Sequence, residues 1–176
     1  MTQATSAAHR HPVQHTHWFA LSTRSRAEKA ARDYLDAHAV ETFLPTFTRQ
    51  SRWKDRKKSI EWPLFTGYCF ARFDLGEQLT VLKCPHVAAI VSFAGTPSPV
   101  PEIEIENLRL LIESELQFDP VPFIKEGDKV QVVYGPLKGV VGRLVRKGQH
   151  ARLILAVDLI SQAVSVTVDA SDVKPY

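Results

Sequence analysis

The sequence predicts an α+β chain in two parts: an antiparallel sheet covered by helices, then a small β-barrel. Three observations predict it. Helix-type and strand-type apolar patterns alternate through the first 116 residues. The proline-bearing stretch "QFDPVPFIK" then breaks the pattern. Beyond it, short β-rich runs are split by Gly and Asp turns.

Residues 1–16 show no periodicity and are expected to be a disordered tail. The tail holds His9, His11 and His15, with His17 adjoining, but no Cys/His spacing that fixes a metal. "HWFALST" reads as a first strand. Ser25 and Glu28 stand at the spacing of a capping box, in which the serine accepts from a helix N–H and the glutamate reaches back. Ala27, Ala30, Ala31, Tyr34, Leu35 and His38 then recur at helical spacing and form one apolar face. "VETFLPTF" is expected to be extended, because Pro45 is poor inside a helix. The basic run from Arg49 to Lys58 has neither a helical nor a strand period. "GYCFARF" alternates, with Tyr68, Phe70 and Arg72 on one face and Cys69, Ala71 and Phe73 on the other. A short helix over 75–83 and a strand at "VAAIVSF" follow. Pro101 and the acids after it suit a helix start, with Ile105, Leu108, Leu111 and Ile112 on its buried side.

Composition limits the function classes. A 44% hydrophobic and 23% charged chain is globular. No apolar run approaches the roughly 20 residues of a membrane span, and the first residues lack a signal-type apolar stretch. A cytoplasmic protein is expected. Cys69 and Cys84 are too few for a disulfide framework and read as buried free thiols. Net charge is +3 but unevenly placed: residues 24–58 hold ten Lys/Arg against five Asp/Glu, and residues 74–119 hold two against eight. An electropositive face for nucleic acid or an acidic protein is implied. No catalytic constellation is present, so an enzyme is not expected.

Two motifs carry a family resemblance. "PLFTGYCF" is similar to the Pro-Leu-Phe-Pro-Gly-Tyr-x-Phe signature of NusG-type transcription elongation factors, and "GDKVQVVYGPLKGVVGRLVR" is similar to their KOW signature. The resemblance covers about 17–176. Thr66 departs from the signature proline, and His86 from the usual Pro-Gly-Val loop. The resemblance implies an NGN α/β sandwich over 17–116, a linker over 117–124 and an SH3-like KOW barrel over 125–176. "RWKDRKK" further resembles specialised paralogues of the UpxY and LoaP kind, which serve as processive antiterminators.

Roles follow from the resemblance. Phe65, Tyr68 and Phe70, with Trp18 on the neighbouring strand, would grip the RNA polymerase clamp. For each aromatic, burial in the core is the competing reading. Arg24, Arg26, Arg49, Arg52, Lys54, Arg56, Lys57 and Lys58 would meet the DNA non-template strand or nascent RNA, with Trp53 placed to stack on a base. A merely solvated charge run is the alternative. Leu159 and Ile160 would dock a termination factor or a small-subunit ribosomal protein, unless they fill the barrel. Lys138, Arg143, Arg146, Lys147 and Arg152 would serve if the barrel binds RNA. The protein is expected to be a monomer without cofactor or membrane contact. A housekeeping NusG and a ribosome-associated KOW protein are the alternatives. The two domains are expected to fold independently, and the β-branched runs "VQVV" and "VSVTV" argue against helical refolding of the second.

Overall fold

The computed structural model describes residues 16–53, 56–121, 123, 127–147 and 150–176. The first unit runs β1 (His17–Thr23), α1 (Glu28–Ala37), β2 (Glu41–Phe43), β3 (Thr46–Trp53), β4 (Arg56–Pro63), β5 (Tyr68–Phe73), α2 (Gln78–Leu82), β6 (Val87–Ile90), β7 (Ser92–Phe93), β8 (Thr96–Pro97), β9 (Pro99–Val100) and α3 (Glu102–Glu113). The second unit runs β10 (Phe118–Val121), β11 (Asp128–Val132), β12 (Val141–Lys147), β13 (His150–Val157), β14 (Gln162–Val168) and β15 (Val173–Pro175).

Strand β1 is the centre of the first unit. It pairs antiparallel with β5, from His17↔Phe73 to Ser22↔Tyr68, and on its other side with β6 and β9. Alternation along β1 and β5 divides the core in two. Trp18, Ala20 and Phe70 pack with Ile105, Leu108 and Leu111 of α3. Phe19, Leu21, Cys69, Ala71 and Phe73 pack with Ala31 and Leu35 of α1 and Val81 of α2. Both cysteines are free and buried, and burial pushes the Cys69 thiol up to about 12. Each buried Leu or Phe contributes roughly 2–3 kcal/mol through the water it sheds.

The basic run that showed no period is a two-stranded hairpin, β3 with β4, paired from Thr46↔Pro63 to Trp53↔Arg56. Its base is braced from α1: Lys29 Nζ lies 2.9 Å from Glu61 Oε2, and Thr46 Oγ1 donates to Glu61 Oε1 at 2.7 Å. These bonds hold the Glu61 carboxyl below the usual carboxylate range.

The predicted capping box does not form. The N-cap of α1 is Ala27, with no side-chain cap bond, and Glu28 is buried and turned elsewhere. The predicted linker differs as well. Phe118–Val121 pairs with β14 and makes the second sheet six-stranded, in the order β10-β14-β13-β12-β11-β15. Pro120 is tolerated because β10 is an edge strand, where a missing N–H costs no ladder bond.

Nor are the two units separate. One buried cluster runs from Trp18, Phe70 and Leu108 into Val130, Leu144, Leu153 and Val164 of the second sheet. At the junction, the Asn107 side chain of α3 meets the backbone of Val141: Nδ2 donates to the carbonyl at 2.7 Å, and the Val141 N–H donates to Oδ1 at 3.1 Å. The β12–β13 ladder begins at Arg143↔Ile154, so Val141 lies beyond its end and takes its partner from α3. Among the described residues, no helix is long and apolar enough to cross a membrane.

Close approach of β12 and β13 requires Gly142. A Cβ there would stand 2.7 Å from the Ile154 carbonyl oxygen and 2.8 Å from a Leu155 methyl. Backbone cannot yield as a side-chain tip can. Gly142→Ala is expected to cost about 1–3 kcal/mol by overpacking. A thermal melt of the full chain checks this, and an unchanged midpoint would contradict it.

Candidate functional site

The segment from Pro63 to Phe70 is fixed by bonds from three directions. Leu64 N–H donates to the Pro45 carbonyl at 2.8 Å, and Tyr68 N–H to the Phe65 carbonyl at 3.2 Å. Gly67 has φ +83°, a conformation that favours glycine. Its carbonyl accepts from Thr23 N–H at 2.8 Å, and its own N–H donates to Glu28 Oε1 at 2.7 Å. The glutamate that suggested a helix cap therefore holds the turn that delivers Tyr68 and Phe70. Nothing about its spacing in the sequence distinguished the two uses.

The register Trp18↔Arg72, Ala20↔Phe70 and Ser22↔Tyr68 puts Trp18, Phe70 and Tyr68 on one sheet face. Their exposure differs sharply. Trp18, Phe65 and Phe70 are all buried, at 2% or less, and Tyr68 is half-buried at the edge of the same cluster. Phe65 stands edge-on to Phe70 at 6.4 Å, and Phe43 stacks on Phe70 at 6.1 Å. The Arg109 guanidinium covers the Trp18 ring at 5.0 Å and the Phe43 ring at 5.3 Å, while pairing with Glu41 and Glu106. Of the four predicted aromatic contacts, three form a floor and Tyr68 alone reaches the surface.

Beside this face stands the basic hairpin. Ser51↔Lys58, Arg52↔Lys57 and Trp53↔Arg56 bring the basic positions together at its distal end, and Arg49 pairs with Ile60 nearer the base. Lys54 lies outside the described residues. At the base, Phe47 pairs with Trp62, which is half exposed. Arg24 and Arg26 are exposed in the turn before α1, where Arg26 has φ +57°. Arg24 N–H donates to the His86 carbonyl at 2.9 Å, so His86 in the variant loop serves through its backbone. His9, His11 and His15 lie outside the described residues.

In the second unit, Leu159 is half-buried and Ile160 buried in the one-turn helix Asp158–Ile160. Lys138 and Arg152 are exposed, Arg143 is half-buried, and Arg146 occupies β12 opposite Ala151. Lys138 lies in the loop before β12, and Arg143 and Arg146 lie on β12 itself. Sequence reasoning missed Glu104 and Asn107. Three residues apart on α3, they share a helix side, and among so many acids they resembled a solvated face.

A family model described as transcription termination factor nusG matches residues 16–109, more than half of the chain. The chain belongs to the NusG family. The transcription termination/antitermination protein NusG of Helicobacter pylori (strain J99) is 25% identical over 171 residues, 89% of this chain and 97% of the relative. That of Streptococcus pyogenes serotype M1 is 29% identical over 141 residues, 73% of this chain and 79% of the relative. Among solved structures, one concerning domain interaction in Thermotoga maritima NusG superposes with a TM-score of 0.52 at 21% identity. It covers 91% of this chain and 97% of that one. The likeness extends the NusG-like mixed α/β fold, with its antiparallel sheets and three helices, over both units.

Removing the Glu28 carboxylate leaves the Gly67 N–H without its partner. Glu28→Ala is expected to cost about 2 kcal/mol, as for a charged hydrogen bond removed from a buried site. Glu28→Gln, which keeps an acceptor oxygen, should lose less. Hydrogen exchange at the Gly67 amide checks both: protection should fall in the order wild type, Gln, Ala.

Proposed function

We propose that this NusG-family chain is a transcription elongation factor that binds the RNA polymerase clamp through the first unit and suppresses pausing or termination. The observation that carries the reading is the juxtaposition of the Glu28-anchored Tyr68 turn and the basic hairpin. Tyr68, packed against the same cluster as the half-buried Phe43 and Phe47, supplies an aromatic edge suited to a protein partner. Aromatic anchors give large apolar contact for little side-chain entropy. Phe65, Phe70 and Trp18 would shape that edge from beneath rather than touch the partner. The hairpin positions Arg49, Arg52, Arg56, Lys57 and Lys58, with Lys54, would meet the phosphates of the non-template strand or nascent RNA.

The second unit would act as a KOW-type barrel that recruits a second partner. The Leu159–Ile160 turn suits a ribosomal protein or termination factor, and Lys138, Arg143 and Arg146 suit RNA. A specialised antiterminator rather than a housekeeping NusG is favoured by one feature: basic residues opposing each other across a long hairpin. Binding to ribosomal subunits instead of polymerase would replace the reading with the ribosome-associated one.

Tyr68→Ala is expected to weaken binding to a clamp-helix fragment by about 2 kcal/mol, roughly 30-fold, while the chain stays folded with a melting midpoint lowered only by the loss of a half-buried ring. Calorimetric titration measures the first and a thermal melt the second. Unchanged affinity would remove Tyr68 from the interface.

Replacing Arg56, Lys57 and Lys58 together with Ala should flatten the salt dependence of nucleic-acid binding. The log–log slope should fall by about one for each phosphate that the variant no longer reaches. Clamp affinity should stay as it is. Equal slopes for variant and wild type would show the hairpin to be solvated only.

A further inference from the structure

Two polar side chains of α3 face the second unit. Asn107 is satisfied by Val141. Glu104 is not: its Oε2 is buried without a hydrogen-bond partner among the described residues. Asp158 lines the same cleft, and its negative charge disfavours an ionised Glu104. The cleft around Glu104, of about 230 Å³, is lined by Asn107, Lys129, Arg143, Asp158 and Tyr176 among others. Lys129 Nζ sits 4.5 Å above the Tyr176 ring, and neither Lys129 nor Arg143 forms an ion pair with Glu104. On α3 itself, Glu102 is paired with Arg72 and Glu106 with Arg109. Among the described residues, Glu104 is thus the acid of α3 that faces another negative charge across the junction with no counter-ion.

We propose that Glu104 makes the docking of the two units proton-sensitive: protonated, it lets α3 stay latched to β12 and the Asp158–Ile160 turn, and ionised, it drives them apart. An ionised carboxylate there loses hydration and meets Asp158, whereas a neutral acid meets neither penalty. Burial first, and the Asp158 charge second, raise the Glu104 carboxyl to about 7. The sign follows from linkage. The docked state holds the proton more tightly than the parted state. Docking is therefore fully favoured below the ordinary carboxylate range and is lost as pH rises through about 7. Across that interval, each pH unit changes the docking equilibrium by tenfold at most. Because Glu104 keeps some contact with solvent, about threefold per unit is the working figure.

Parting would uncover the inner side of the Asp158–Ile160 turn, but the latch does not depend on what that turn binds. The Val141 amide reports it directly, since its N–H donates to Asn107 across the junction. The test is hydrogen exchange of that amide in the full chain, expressed as a protection factor corrected for the intrinsic pH dependence. From pH 5.5 to 8.5 protection should fall about fivefold, nearly all of it below about 7, above which both states are ionised and the curve levels. Glu104→Gln, which keeps the shape of the neutral acid, should hold protection level across the range. Asp158→Asn, a change at an exposed side chain, should carry protection to higher pH. Level protection in the wild type, or a Glu104→Gln profile matching it, would overturn the proposal.

Discussion

Helix α3 has to satisfy two sheets at once. Ile105, Leu108 and Leu111 close the core of the first sheet, and a different side of the same helix offers Asn107 to the end of β12. A carboxamide carries one acceptor and one donor group, so it matches a peptide unit and can occupy the place of a missing strand neighbour. Val141 lies just past the β12–β13 ladder, with both backbone groups buried. A buried, unpaired peptide group costs more than an ordinary hydrogen bond contributes. The position of the second unit is thereby set by a backbone requirement that apolar packing alone would leave loose.

Most of the first sheet was legible in the sequence because its strands are buried on both faces and flanked by clear turns. The alternation in "GYCFARF" assigned every side chain from Tyr68 to Phe73 to the correct face. It could not tell a core face from a binding face, since both want aromatics. The depth of Phe70 and the shallowness of Tyr68 depend on α3, which joins from thirty residues later in the chain, about the reach of a crossover unit. The hairpin was illegible for a related reason. Its basic positions lie at both parities, so neither face is apolar and no period of two survives. Pro120 argued for a linker because proline is excluded from central strands. An edge strand removes that objection, but edge status is a property of the finished sheet. Asn107 and Glu104 carried no local signal at all.

Glu28 shows how competing uses of one side chain are decided. As a capping-box glutamate it would satisfy a backbone N–H at a helix end, where water reaches anyway. At Gly67 it satisfies an N–H in a turn that the protein covers. Exposed caps are worth about 1 kcal/mol, and buried charge-assisted bonds about twice that. The glutamate goes where it stabilises more, and the chain accepts an uncapped α1. The positive φ of Gly67 is what aims its N–H at the helix start.

The same reasoning extends to charge. Acids crowd α3, yet Glu102 and Glu106 are matched by Arg72 and Arg109, the second of which also lies over the Trp18 ring. Lys29 is matched by Glu61 at the hairpin base. These pairs are surface pairs of small individual worth. Their collective effect is on the field. Outside the hairpin, residues 16–46 and 60–116 hold seven Lys/Arg against twelve Asp/Glu, so the excess positive charge of the first unit sits on β3 and β4. Opposite charges within a Debye length of about 8 Å screen one another, whereas a projecting arm of one sign keeps its potential in solution. On the proposed reading, a hairpin so placed would attract polyanions from a distance without requiring the sheet beneath to be basic. The aromatic edge at Tyr68 would then be free to select a protein surface on shape and apolar area. Separating the two proposed kinds of recognition would depend on the brace at Glu61, because an arm that swung freely would carry its charge over the aromatic edge as well.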